Sequence, residues 1–281
     1  MATIRIPDAR IDYFLSEDIP YLDLTSFVLG IGEQAGSMEY FTRQECILAG
    51  TAPVTRMAHQ LGCAVDNALP DGTQLLAGQA FMTVSGDAST LHQLWKVGLN
   101  TFDHLSAVAT KTHAMVEAVH AVNPNCEVLT TRKSMPGVKD LLTLAILAGG
   151  AFPHRLGLSE TILVFEQHLA FMGGFDGFLR ELPSIRSRCC EKKIFVEATP
   201  KEAPRIARVG VDGIQLDKAT PEVLAHLVPT LRAIDPKLTI IAAGGVTPDN
   251  AAAFAASGVD GVATTAPFTA KPVDMSVRMH G

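Results

Sequence analysis

Thr131-Arg132-Lys133-Ser134-Met135-Pro136-Gly137 puts two adjacent cations where the apolar run Val128-Leu129 ends, ahead of a Pro-Gly turn and the helix-like stretch Val138 to Ala145. Such residues make poor core and good anion ligands. A second cationic pair, His154-Arg155, follows Ala148-Gly149-Gly150-Ala151. If both pairs line one pocket, leaving them unneutralised would cost on the order of several kcal/mol per buried charge, so an anion is the natural occupant. An arginine fork takes both oxygens of a carboxylate or phosphate, whereas lysine serves phosphate as a point charge. On residue type alone, His154-Arg155 could equally be a surface pair near a helix end.

Other polar groups also close apolar runs. Glu197 follows Ile194-Phe195-Val196, Asp217 follows Ile214-Gln215-Leu216, Gly244-Gly245 follows Thr239 to Ala243, and Thr264-Thr265 follows Gly261-Val262-Ala263. Each acid could cap a helix start. Alternatively the two could bind sugar hydroxyls and a Mg²⁺ ion carried on a diphosphate, which needs only one or two protein carboxylates. Gly244-Gly245-Val246-Thr247-Pro248 is either a tight turn that needs glycine geometry or a loop whose N–H groups, with the next helix start, cradle a phosphate.

These residues punctuate a repeating pattern. Strand candidates from Glu127 to Thr131, Ile162 to Phe165, Ile194 to Glu197, Gly213 to Asp217, Thr239 to Ala243 and Gly261 to Thr264 alternate with helical stretches. Three helices carry Thr-Pro start signals, at Thr199-Pro200, Thr220-Pro221 and Thr247-Pro248. Repeated β-α units with apolar strands predict a parallel sheet with helices outside. Six strands are too few for a closed eight-stranded barrel, so the expectation is an open, incomplete TIM-like α/β barrel. The carboxyl ends of its strands would share one face, where the active sites of such barrels lie.

Before about residue 88 the texture differs, with strand-like Met38 to Phe41 and Ala80 to Val84 around a helix-like Val54 to Leu61. Apolar residues at helical spacing from Thr90 to Val122 predict one or two long helices. The expected division is an N-terminal α/β sandwich domain over 1–105, a barrel domain over 106–270, and a tail over 271–281.

Composition limits the partners. A chain of 281 residues with 47% hydrophobic content and a net charge of −6 suits a globular protein without a basic stripe, which argues against nucleic acid. No run approaches a membrane span, so no membrane partner is expected. Five cysteines without C-x-x-C spacing point to a reducing cytoplasm rather than zinc or a disulfide framework, with Cys126 buried in a strand.

TRKSMPG, the Gly149-Gly150-Ala151-x-x-His154-Arg155 run, and the early Glu17-Asp18-x-x-x-x-Asp23-x-Thr25-Ser26 resemble the quinolinate phosphoribosyltransferase family, the nicotinate-nucleotide pyrophosphorylases. They resemble most its ModD branch, which is associated with molybdate uptake systems. The similarity runs from roughly Ile11 to Met275. It implies an open α/β barrel behind an N-terminal α/β sandwich, and a homodimer in which the N-terminal domain covers the partner's active site. It further implies transfer from phosphoribosyl pyrophosphate to a small anionic acceptor, with release of pyrophosphate. By that resemblance Lys133, Glu197 and Asp217 are catalytic, with Glu197 and Asp217 also holding Mg²⁺ through the diphosphate. Lys96, Thr131, Arg132, His154, Arg155 and Phe165 would meet the acceptor, and Ala243, Gly244, Gly245, Thr264 and Thr265 the sugar phosphate.

Several positions depart from the family pattern. Phe165 stands in place of a lysine, Lys96 in place of an arginine, Trp95 in place of an acid, Lys218 in place of an asparagine and Ala243 in place of a serine. His168 matches only part of its motif. A lysine-to-phenylalanine change removes a charge, and arginine-to-lysine loses bidentate geometry. The expected activity is therefore phosphoribosyl transfer to an acceptor other than quinolinate. Two other readings stay open: a non-catalytic anion or nucleotide sensor on a degenerate scaffold, and a Schiff-base lyase using Lys133 or Lys218.

Overall fold

A computed structural model describes residues 4–281. Contacts divide them into two units: the chain up to Ala114 with Met135–Ala151 and Pro267–Gly281, and Met115–Ser134 with Phe152–Ala266.

In the first unit, helix α1 (Asp8–Asp18) leads to α2 (Leu24–Leu29), which Asp23 opens by accepting the N–H groups of Thr25 and Ser26. Strand β1 (Ala35–Thr42) is followed by the two-residue β2 (Cys46–Ile47), helix α3 (Thr51–Gln60), β3 (Ala64–Ala68), β4 (Gln74–Leu75) and β5 (Ala80–Asp87). β2 pairs only with β4, while β1, β5 and β3 form an antiparallel sheet. Its core centres on the rings of Tyr40, Phe81 and Phe102, fully buried and packed edge to face at 4.9 Å between Phe81 and Phe102. Phe102 belongs to α4 (Ala88–His120), one unbroken helix where the periodicity allowed two. Helix α5 (Lys139–Ala148) completes the unit.

The segment read from sequence as a tail folds as a strand, Met275–His280, on the free edge of β1, with Met275 opposite Thr42 and His280 opposite Ser37. Its alternation of Met275, Val277 and Met279 with polar residues suits one buried face. A strand of this length has no stability alone, so its role depended on an edge that only folding supplies.

The second unit realises the predicted βα repeat as β6 (Glu127–Thr130), β7 (Phe152–Pro153), β8 (Ile162–Val164), β9 (Ile194–Ala198), β10 (Gly213–Asp217), β11 (Thr239–Ala243) and β12 (Gly261–Thr264). All pairings are parallel, in the order β7-β6-β12-β11-β10-β9-β8. This is the open half-barrel expected, with β7 as an addition that two residues could not announce. Helices α6 (Glu166–Leu169), α7 (Gly174–Arg188), α8 (Ala203–Ala207), α9 (Pro221–Ile234) and α10 (Ala251–Ala256) alternate with the strands.

Of the three Thr-Pro signals, only Thr220-Pro221 starts a helix directly, with Thr220 accepting the N–H of Val223. At the other two, local side chains capture the threonine N–H. Glu202 takes that of Thr199 and Asn250 that of Thr247, each making a turn before the helix.

Candidate active site

Side chains alternate across a strand, so the register decides which residues face the barrel interior. Leu129, Leu163, Phe195, Ile241, Ala243 and Ala263 pack as one buried cluster, and Phe165 lies partly buried against it. Gly213 makes room for this plug: a Cβ there would lie 2.1 Å from the Phe195 ring. Two residues beyond plug positions on the same strands stand Thr131, Glu197 and Thr265. On β10, Gln215 pairs with Glu197, and Asp217 follows two residues on with Ala243 opposite. An apolar floor with a charged rim at the carboxyl ends of the strands results.

The rim is electrostatically one site. Burial raises the Glu197 carboxyl above its ordinary value. The Asp217 charge adds to that rise, while Lys133, Lys218 and a hydrogen bond from Gln215 Nε2 at 2.6 Å oppose it. Glu197, at the end of β9, thus feels charges delivered by the ends of β6 and β10. On the other flank, burial first and the neighbouring Arg155 second push His154 below the usual imidazole value. Burial and the charge of Arg132 act the same way on Arg155, opposed by Glu160. The Nε of Arg155 is buried and without a hydrogen-bond partner among the described residues. Two guanidinium groups in mutual repulsion, one with an unused buried donor, describe a place for an anion.

Three local devices set the mouth. Thr131 Oγ1 and Thr265 Oγ1 lie 2.9 Å apart, and the N–H of Thr131 donates to the Thr264 carbonyl, tying the cationic segment to β12. The backbone of His154 is held by its N–H to the Thr130 carbonyl at 2.8 Å. Gly244 and Gly245 take consecutive left-handed conformations (φ +80° and +76°), and a Cβ on Gly244 would fall 2.6 Å from Asp217 Oδ1. The N–H groups of Gly245 and Val246 find no acceptor among the described residues, as a phosphate cradle requires.

Two expected phosphate residues have other work. Thr264 is buried, and its hydroxyl donates to the Val246 carbonyl and accepts from Ala266, so it braces the glycine loop from beneath. Ala243 lies in the apolar plug, with its carbonyl taken by the N–H of Lys218. Helix α10 starts only at Ala251, so the loop, rather than a helix terminus, would carry the anion. Lys96 lies in the first unit, on α4, with Nζ 4.7 Å from the centroid of the Trp95 ring.

Gln215 is the one group at this mouth that the sequence does not announce: it sits in an otherwise apolar run, yet it is the polar residue two positions before Asp217 and so shares its face. His168, left open, accepts the N–H of Phe165 through Nδ1 at 3.0 Å and stacks on its ring. Lys133 and Lys218 are both exposed, not desolvated as a Schiff-base lysine needs to be.

This geometry has two measurable consequences. Among the described residues Lys218 is the one non-glycine with positive φ (56°). A left-handed lysine stores about 1 kcal/mol that asparagine tolerates better, so Lys218→Asn is expected to raise the melting temperature by about 2 °C in calorimetry. Gln215→Leu removes the hydrogen bond that favours the ionised Glu197. It is expected to move the acid limb of the pH–rate profile upward, because a carboxylate with a higher pKa is lost at a higher pH.

The chain matches the description "Quinolinate phosphoribosyl transferase, N-terminal domain" over residues 23–106 and "Quinolinate phosphoribosyl transferase, C-terminal domain" over 108–278. It is 35% identical over 278 residues to "Putative pyrophosphorylase ModD" of Escherichia coli O157:H7, covering 99% of this chain and 98% of that protein. It is 30% identical over 273 residues to the human carboxylating nicotinate-nucleotide pyrophosphorylase, covering 96% and 91%. A solved nicotinate-nucleotide pyrophosphorylase from Francisella tularensis shares the fold with a TM-score of 0.89 at 24% identity, covering 99% and 98%. With both domains matched along nearly the whole chain and the charged groups of its second unit gathered at one barrel mouth, this protein belongs to the quinolinate phosphoribosyltransferase family and is a phosphoribosyltransferase of the ModD-like kind.

Proposed function

We propose that the protein joins phosphoribosyl pyrophosphate to a small anionic heterocyclic acceptor other than quinolinate, releasing pyrophosphate. The observation that carries this is the meeting of Glu197 and Asp217, on paired strand ends, with the left-handed Gly244-Gly245 turn, where a Cβ on Gly244 would fall 2.6 Å from Asp217 Oδ1. Gly244 and Gly245, with Thr131 and Thr265 beside them, would hold the sugar phosphate, and Lys133 the departing pyrophosphate. A ring nitrogen of the acceptor attacks C1 with its lone pair while the C1–O bond breaks, and the bonding electrons leave with pyrophosphate. Positive charge then grows on the ribose, and the carboxylates of Glu197 and Asp217 stabilise it.

Two carboxylates on neighbouring strands, one of them disfavoured by the other's charge, also suit a divalent cation. Among the described residues no cluster of three or more acids, histidines or cysteines forms a complete metal cage. Mg²⁺ would therefore be held by Glu197 and Asp217 together with the diphosphate, where it neutralises phosphate charge.

A homodimer fits the solvent-facing side of α2 and its approach. Tyr21 is 92% exposed, Phe27 73% and Val28 72%, large apolar side chains that a second copy would cover. A cytoplasmic setting and a link to molybdate supply rest on the ModD likeness and the cysteine pattern.

Pyrophosphate release from phosphoribosyl pyrophosphate, measured against a panel of nitrogen-heterocyclic acids with Mg²⁺, tests the proposal. Release with at least one monoacid and not with quinolinate is expected. Tight phosphoribosyl pyrophosphate binding with no release for any acceptor would replace this reading with the sensor.

A further inference from the structure

The acceptor flank has a definite chemistry. Phe165 continues β8 beyond Leu163 on the inner face, level with Glu197, and packs on the apolar plug. It is fixed from two directions: the His168 ring stacks on it with centroids 5.8 Å apart, and the Arg155 guanidinium carbon lies 5.8 Å from its centroid. Nδ1 of His168 accepts the Phe165 N–H, which fixes the imidazole against the Phe165 ring. His168 is thus a positioning residue for an aromatic wall.

The anion-binding capacity beside that wall is small. Arg155 carries the buried, unpartnered Nε, and Arg132 is close enough to repel it. His154 is held toward its neutral form by burial and by that same arginine. Glu160 already offsets part of the charge. What is left suits one carboxylate, and the aromatic wall over an apolar floor suits a flat ring.

We infer that the acceptor is a planar heteroaromatic ring bearing a single carboxylate, its ring against Phe165 and its carboxylate on Arg155. The assignment rests on the phosphoribosyl-transfer reading for the identity of the site as an acceptor site. A ring with two adjacent carboxylates would bring a second charge against the apolar Phe165 side chain, which offers it no hydrogen bond, while Arg155 beside that ring is already taken by the first.

Direct binding and turnover separate the two readings. Affinities of pyridine-3-carboxylate, pyridine-2,3-dicarboxylate and cyclohexanecarboxylate are measured by ligand-observed NMR, without and with phosphoribosyl pyrophosphate, for the full-length protein and its variants. The aromatic monoacid is expected to bind at least about tenfold tighter than the diacid or the saturated acid. Phe165→Leu keeps apolar volume and should weaken the aromatic monoacid by about three- to tenfold while sparing the saturated one. His168→Ala should act in the same direction more weakly, and Arg155→Met should weaken both monoacids by about tenfold or more. Phe165→Lys should reverse the preference toward the diacid.

Unchanged phosphoribosyl pyrophosphate affinity in each variant shows that it is folded. Equal or tighter binding of the diacid by the unmodified protein, or an unchanged aromatic-to-saturated ratio in Phe165→Leu, would overturn the assignment. Loss of phosphoribosyl pyrophosphate binding with the ring preference intact would instead defeat the transfer reading and leave the ring assignment standing.

Discussion

Glu197→Gln is expected to lower kcat by about 10²- to 10³-fold while raising the melting temperature. The kinetic part follows from the position of the carboxylate, on the rim beside Asp217, where positive charge would develop on the ribose. Removing one such preorganised electrostatic partner costs about that factor in other enzymes. The stability part follows from linkage. Burial and Asp217 raise the folded-state pKa of Glu197, so the native state binds its proton more tightly than the unfolded chain does. Stability from this group is complete at low pH and falls as pH rises from the ordinary glutamate value through the raised one. At neutral pH the ionised carboxylate therefore works against folding, and the neutral amide relieves it. The substituted amide has the shape of the carboxylate and can still meet Gln215, so packing is kept. Steady-state kinetics and calorimetry on one preparation check both parts; a variant that loses activity together with stability would mean that Glu197 serves the fold instead.

Lys133→Met is expected to cost about 10²-fold in kcat/KM for phosphoribosyl pyrophosphate, with Lys218→Met costing less than about threefold. Both lysines influence Glu197, so charge near the carboxylate does not distinguish them. Their surroundings do. Lys218 Nζ stands 3.8 Å from Asp217 with its side chain 84% exposed, and an exposed pair of that kind contributes little. Lys133 is anchored through its own N–H to Thr131 Oγ1, and Thr131 in turn meets Thr265 beside the glycine loop. That places its backbone among the groups proposed to hold phosphate, and a lysine there serves as the point charge that pyrophosphate needs on departure. Initial rates at varied phosphoribosyl pyrophosphate separate the two. Equal losses in both variants would show that the mouth responds to net charge alone.

The chemistry was more legible in the sequence than its distribution among residues. Charged and glycine residues at the ends of apolar runs marked a shared mouth because parallel strands joined by helices must point the same way. The register then sorted them. Thr264 and Thr265 are indistinguishable as neighbours in a chain, yet one faces inward beside Thr131 while the other is buried bracing Val246. Gln215 looked like filler between Ile214 and Leu216 until β9 brought Glu197 alongside.

Local signals determined the six longer barrel strands, the cap at Thr220 and the cationic TRKSMPG loop, since each depends on residues close in the chain. Tertiary structure alone decided the edge strand at Met275–His280, the pairing of Gln215 with Glu197, and the buried, unanswered Nε of Arg155. Strand pairing and desolvation are properties of neighbours far apart in sequence, and no spacing along the chain encodes them.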